Sequence, residues 1–96
     1  MIFNLAQRRF EQTVRAYSAD LYRYAYWLCR DRFRAEDLVQ ETFTRAWNSW
    51  ESLKDVEAVK SWLITILRRE HARLYERKQF DYVDTELEDL QIAADH

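Results

Sequence analysis

Ala35-Glu36-Asp37-Leu38-Val39-Gln40-Glu41-Thr42-Phe43-Thr44-Arg45-Ala46-Trp47-Asn48-Ser49-Trp50 is the stretch on which the fold turns. Ala35, Leu38, Val39, Phe43, Ala46, Trp47 and Trp50 follow the i, i+3, i+4, i+7 spacing that lines side chains along one stripe of an α-helix. Residues 35–50 are therefore expected to form a helix with one apolar face. Asp37, Gln40, Glu41, Thr44, Arg45 and Asn48 also repeat at three and four, so they form one continuous polar ridge. On spacing alone the ridge reads either as a solvated face or as a docking surface, and both readings stand.

The same period extends to either side. Upstream, Phe10, Val14, Tyr17, Leu21, Tyr24 and Leu28 alternate at four and three, which predicts a helix over 8–30 with Arg15, Asp20, Arg23 and Arg30 off the seam. Residues 31–34 break the pattern and read as a connector. Downstream, residues 51–58 lose the period, with Ser52 or Asp55 suited to cap the next helix. That third helix is expected over 59–78, with Val59, Trp62, Leu63, Ile66, Leu67 and Leu74 on its apolar side. Past Phe80, the partly helical spacing of Val83, Leu87, Leu90 and Ile92 suits a short fourth helix or the start of a linker. The expected class is all-α: a three-helix core bundle with an optional short helix at the C-terminus.

Composition narrows the function more than it narrows the fold. Ninety-six residues make one domain, and they contain neither glycine nor proline. Without turn residues an all-β fold is excluded, and without glycine so are P-loops, dinucleotide-binding fingerprints and nucleophile elbows. Cys29 is alone, so no internal disulfide or Cys-based zinc site can form. His71 and His96 cannot assemble a nucleophile–base pair with it. The chain is therefore not expected to be an enzyme, nor to need a metal or cofactor. No apolar run is long enough to span a membrane or serve as a signal peptide, so the expected setting is cytoplasmic and reducing, with no membrane insertion.

Charge is segregated along the chain. The formal net charge is −2, yet residues 81–96 carry six acids and no base. Residues 1–80 hold all 15 bases against 11 acids, a balance of +4. In the third helix Arg69, Arg73 and Arg77 stand at i, i+4 and i+8, with Arg68 and Lys78 beside them. Such a face neutralises phosphates, pairs with Glu70 and Glu76, or is solvated. Trp50, Trp62 and Tyr75 lie nearby, and stacking of a base on an aromatic ring is worth about 1–3 kcal/mol. Core packing is expected to claim Trp62 and Trp47 and to leave Trp50 the more open.

In this order, Asp37-Leu38-Val39-Gln40-Glu41-Thr42-Phe43, then Arg45-Ala46-Trp47, then Ser61-Trp62-Leu63 and a basic helix, the chain resembles region 2 of bacterial sigma factors of the extracytoplasmic-function group. The resemblance covers about residues 8–80. It implies a transcription initiation factor domain that binds core RNA polymerase and recognises and helps melt the promoter −10 element. The ridge of Asp37, Gln40, Glu41, Thr44, Arg45 and Asn48 would grip the β′ clamp helices. Leu53, Lys54, Asp55 and Val56 would form the loop that pockets a flipped base of the non-template strand. Lys60, Arg68, Arg69, Arg73 and Arg77 would contact the strand. An anti-sigma factor and a stress-response role are further implications.

Two positions depart from the family pattern: the loop has no glycine, and Arg69 stands where many relatives carry Asn. Nothing after Phe80 resembles region 4, so residues 1–80 are expected to be the region 2 domain and 81–96 the acidic start of an interdomain linker. The competing reading is a small helical protein-interaction module, or an anti-sigma-type partner-binding domain, without DNA recognition.

Overall fold

The computed structural model describes residues 4–94, and side chains through residue 77. It contains three α-helices, α1 (Leu5–Cys29), α2 (Arg32–Asn48) and α3 (Val59–Ala94), with 3₁₀ turns at Trp50–Ser52 and Val56–Ala58. There is no strand among the described residues. The all-α bundle is as expected.

Capping side chains set where the helices begin. The Asn4 side chain accepts from the Gln7 N–H at 2.8 Å. Asp31 Oδ1 accepts from Phe33 N–H at 2.8 Å and from Arg34 N–H at 3.2 Å, satisfying donors that a helix start leaves unpaired. The four-residue connector expected over 31–34 therefore shrinks. α2 starts at Arg32, and only Arg30 and Asp31 join it to α1. A turn so tight needs a left-handed residue, and a chain without glycine must use another type. Arg30 takes that place at φ 56°, ψ 25°, donating its N–H to the Tyr26 carbonyl at 2.7 Å.

The remaining boundaries differ by a few residues. α2 ends at Asn48 rather than at residue 50, because Ser49 N–H closes back on Arg45 and Ala46 carbonyls and Trp50 enters a 3₁₀ turn. Asp55, not Ser52, caps the run into α3, accepting from Glu57 N–H at 3.0 Å. The short fourth helix is instead the continuation of α3, whose backbone runs unbroken to Ala94. The side chains of Val83, Leu87, Leu90 and Ile92 lie outside the described residues.

Each helix packs on the other two. The buried apolar core is Leu21 and Ala25 of α1, Ala35, Leu38, Val39 and Ala46 of α2, and Val59, Leu63 and Leu67 of α3. The alanines let the helices approach while the leucines fill between them, and truncating such a leucine costs about 2–5 kcal/mol. Thr42 is fully buried in the same layer; its hydroxyl donates to the Leu38 carbonyl at 2.7 Å and so leaves no unpaired donor.

A second, aromatic layer sits at one end. Phe10 meets Phe43 edge-on at 6.3 Å, Trp47 at 5.1 Å and Trp50 at 5.3 Å, and Trp50 meets Trp62 at 5.9 Å. Such pairs add about 0.5–1.5 kcal/mol each beyond area burial. This layer reverses the expected order of the tryptophans. Trp50 is half-buried between Phe10 and Trp62, whereas Trp47 is 42% exposed. The 3₁₀ turn after α2 swings Trp50 inward. Leu74 also departs from expectation: it continues the α3 stripe but is exposed, lying beyond the last core residue, Leu67.

Candidate functional site

The buried residues of α2 fix where its other face points. With Leu38, Val39, Thr42 and Ala46 turned inward, Asp37, Gln40, Glu41, Thr44 and Asn48 lie along the opposite side, all exposed. Thr44 donates its hydroxyl to the Gln40 carbonyl at 3.0 Å, which keeps it within the helix surface. The sixth ridge residue, Arg45, is only half exposed and turns toward α3.

Arg45 meets Glu70 there. Glu70 is 6% exposed, and its Oε1 lies 2.6 Å from Arg45 Nε and 3.7 Å from Arg73 Nη1. Glu41 Oε1 approaches the same Nε at 3.2 Å. The enclosed Nε–H is aimed at neither oxygen, so these contacts are ionic attractions rather than formed hydrogen bonds. A carboxylate this buried is sustained by paired cations, since an isolated one would be strongly disfavoured. Glu70 was readable as a pairing partner for arginines, but not as a buried one. The signal was its register: it stands seven residues after Leu63 and three after Leu67, on the apolar stripe.

Around this pair lies a groove of about 400 Å³ between the end of α2 and α3, lined by Arg45, Asn48, Ser49, Ile66, Arg69, Glu70 and Arg73. It unites residues that the sequence assigned to two separate surfaces. Arg68, Arg69, Arg73 and Arg77 are all exposed on α3. Of the other expected strand contacts, Lys60 is drawn away toward α1, pairing with Asp20 at 3.3 Å beside a second groove of about 410 Å³. Asp20 also meets Arg23 at 3.8 Å.

In the connector Leu53 packs partly on the core, while Lys54, Asp55 and Val56 are exposed. Asp55 is committed to its cap, and neither groove is lined by residues 53–56. Trp62, half-buried, and Tyr75, exposed, flank the basic face, with Tyr75 stacked on His71 at 6.4 Å. Among residues 4–77 no group of three His, Cys, Asp or Glu side chains is arranged to hold a metal ion. No described helix is long and apolar enough to cross a membrane.

Comparison with known proteins bears on this arrangement. The Sigma-70 region 2 family model matches residues 13–80. The chain is 26% identical over 98 residues to the ECF RNA polymerase sigma factor SigX of Bacillus subtilis, covering 93% of this chain and 50% of that protein. It is 43% identical over 53 residues to the ECF RNA polymerase sigma factor SigL of Mycobacterium tuberculosis, covering 54% of this chain and 30% of that protein. It is 38% identical over 58 residues to the ECF RNA polymerase sigma factor SigM of Bacillus subtilis, covering 60% and 35%. The chain thus spans half or less of the length of these relatives. No solved structure matches it. The matched residues run from α1 through the exposed ridge of α2, the connector and the basic part of α3, and the chain belongs to the Sigma-70 region 2 family.

Proposed function

We propose that this chain docks on core RNA polymerase through the exposed face of α2 and meets the non-template strand of the promoter −10 element with the basic face of α3. The observation that carries the reading is the division of α2. Asp37, Gln40, Glu41, Thr44 and Asn48 line one side while Leu38, Val39, Thr42 and Ala46 anchor the other. A rigid helix with a polar outer face can be gripped by a partner without disturbing its own packing. On α3, guanidinium groups supply phosphate contacts and nearby aromatic rings supply stacking, which is the chemistry single-strand capture requires. None of this needs a catalytic group. The exposed Lys54 and Val56, on either side of the capping Asp55, are the tip available for contact with an unstacked base. Residues 1–80 make the docking unit, and 81–96 lead away from it as a linker.

The test is binding of the chain to core polymerase by biolayer interferometry. The Asp37→Ala/Gln40→Ala double variant should bind at least about tenfold more weakly, a loss of about 1.4 kcal/mol. Its melting temperature should stay within about 2 °C of the parent, because surface substitutions usually fall within about 0.5 kcal/mol. Unchanged core affinity would refute the assignment of the ridge.

A second reading, a partner-binding module without DNA recognition, draws on one observation. Tyr26, Trp27 and Phe33 at the α1–α2 corner are exposed by 46%, 61% and 74%. It predicts no binding to single-stranded DNA.

A further inference from the structure

The groove between α2 and α3 brings together three guanidiniums and one buried carboxylate. Arg45 comes from α2, Arg69 and Arg73 from α3, and Glu70 lies beneath them. Arg45 and Arg73 both face the same oxygen, Glu70 Oε1, at 2.6 and 3.7 Å. Arg45 is held through Nε and Arg73 through Nη1, and their side chains are 43% and 61% exposed, so each guanidinium keeps further donors open to solvent. Long arginine side chains carry large rotamer entropy, and a shared anchor removes part of the cost of ordering them on a ligand.

We infer that Glu70 is a positioning residue that aims Arg45 and Arg73, with Arg69 on the same groove, at the phosphates of one single DNA strand running over it. The inference rests on the DNA-binding reading of α3 and adds two residues to it. Arg45 moves from the polymerase ridge to the strand side, and Glu70 acts through the arginines without touching DNA. The ligand chemistry follows from the rim. Guanidinium forks match phosphodiester oxygens, and a groove with three cations over one carboxylate keeps a net positive charge. Asn48 and Ser49 at its α2 end supply neutral donors to the same oxygens.

Simple electrostatics points the other way, which makes the role testable. Removing a negative charge beside a DNA site should strengthen binding if Glu70 only repels phosphate. It should weaken binding if Glu70 aims the arginines. The assay is fluorescence anisotropy of the full chain with a labelled single-stranded oligothymidylate over a series of salt concentrations, below the melting temperature of every variant. The slope of log affinity against log salt counts phosphates neutralised, at about 0.7 per contact for single strands.

Glu70→Gln should bind more weakly than the parent, and its slope should fall by up to about 1.4, the share of two arginines. Arg45→Ala should lower the slope by about 0.7, whereas Arg15→Ala, an exposed cation on α1, should leave it unchanged. Reduced stability alone does not alter the slope of a protein that is still folded, so the slope separates aiming from structural support. Tighter binding or an unchanged slope in Glu70→Gln overturns the positioning role. If that variant does not fold, a parental slope in Arg45→Ala overturns the inference by itself. A parent chain that binds with no salt dependence overturns the DNA-binding reading as well.

Discussion

Arg30→Gly should make this protein more stable, although it deletes a charged side chain and introduces the residue usually blamed for floppiness. Arg30 ends α1 in the left-handed region at φ 56°, ψ 25°, and it is the described non-glycine residue with positive φ. That conformation costs an ordinary L-residue about 1–2 kcal/mol because Cβ crowds the following carbonyl. Glycine escapes the clash but gives back about 0.5–1 kcal/mol through its freer unfolded chain. At the middle of both ranges the difference favours glycine by about 0.75 kcal/mol. Little else is lost: Arg30 is exposed and takes part in none of the ion pairs described. The backbone bond from its N–H to the Tyr26 carbonyl survives any side chain except proline. For a domain of this size 1 kcal/mol moves the melting temperature by about 4–8 °C, so the expected rise is about 3–6 °C. Thermal melting followed by circular dichroism reads it directly. Arg30→Ala is the control: it removes the same charge but keeps Cβ, and it should melt near the parent. Equal melting temperatures for the glycine and alanine variants, or a fall for glycine, would refute the reasoning.

Asp31→Ala should cost about 1 kcal/mol, since its carboxylate caps two α2 donors, and the melting temperature should drop while core-polymerase affinity at low temperature holds. Burial, opposed by Arg34 and reinforced by Asp31, pushes the Cys29 thiol above its ordinary value of 9.0. Iodoacetamide should therefore modify native Cys29 slowly at neutral pH and faster in denaturant, and fast native labelling would contradict the burial. The sign for stability follows from the same shift. Folding favours the neutral thiol, so this contribution is complete below pH 9 and is lost as pH rises through the elevated folded value. Cys29→Ser should flatten that alkaline loss in a pH series of melting temperatures.

Most of the fold was legible because it rests on period. Leu21, Leu38, Val39, Ala46, Val59, Leu63 and Leu67 occupy the expected stripe positions and form the core. Boundaries were harder, since a terminus is decided by a single cap. Asp31 looks like part of a four-residue break until its carboxylate is seen accepting from Phe33 and Arg34. The tryptophans were misordered for a related reason. Helical phase puts Trp47 and Trp50 on one stripe, but the helix stops between them and a 3₁₀ turn redirects Trp50 onto Phe10 and Trp62. The exposed α2 ridge could be read from phase alone. The Arg45–Glu70 meeting could not, because it depends on how two helices separated by the connector lie against each other.

That meeting also changes which charges a nucleic acid would encounter. The whole chain carries −2, and an acidic stretch tethered to a basic body would ordinarily be expected to mask it. The unbroken backbone of α3 argues otherwise. A helix rises about 1.5 Å per residue, so Asp81, the first acid of that stretch, lies about 12 Å along the axis from Arg73 and about 18 Å from Arg69. Both separations exceed the Debye length of about 8 Å at physiological ionic strength. The backbone of residues 81–94 continues the same helix and so runs along its axis away from the groove. What lines the groove is three arginines, Arg45, Arg69 and Arg73, against one acid, Glu70, which is already committed to Arg45 and Arg73. The local field therefore favours a polyanion even though the molecule as a whole is acidic.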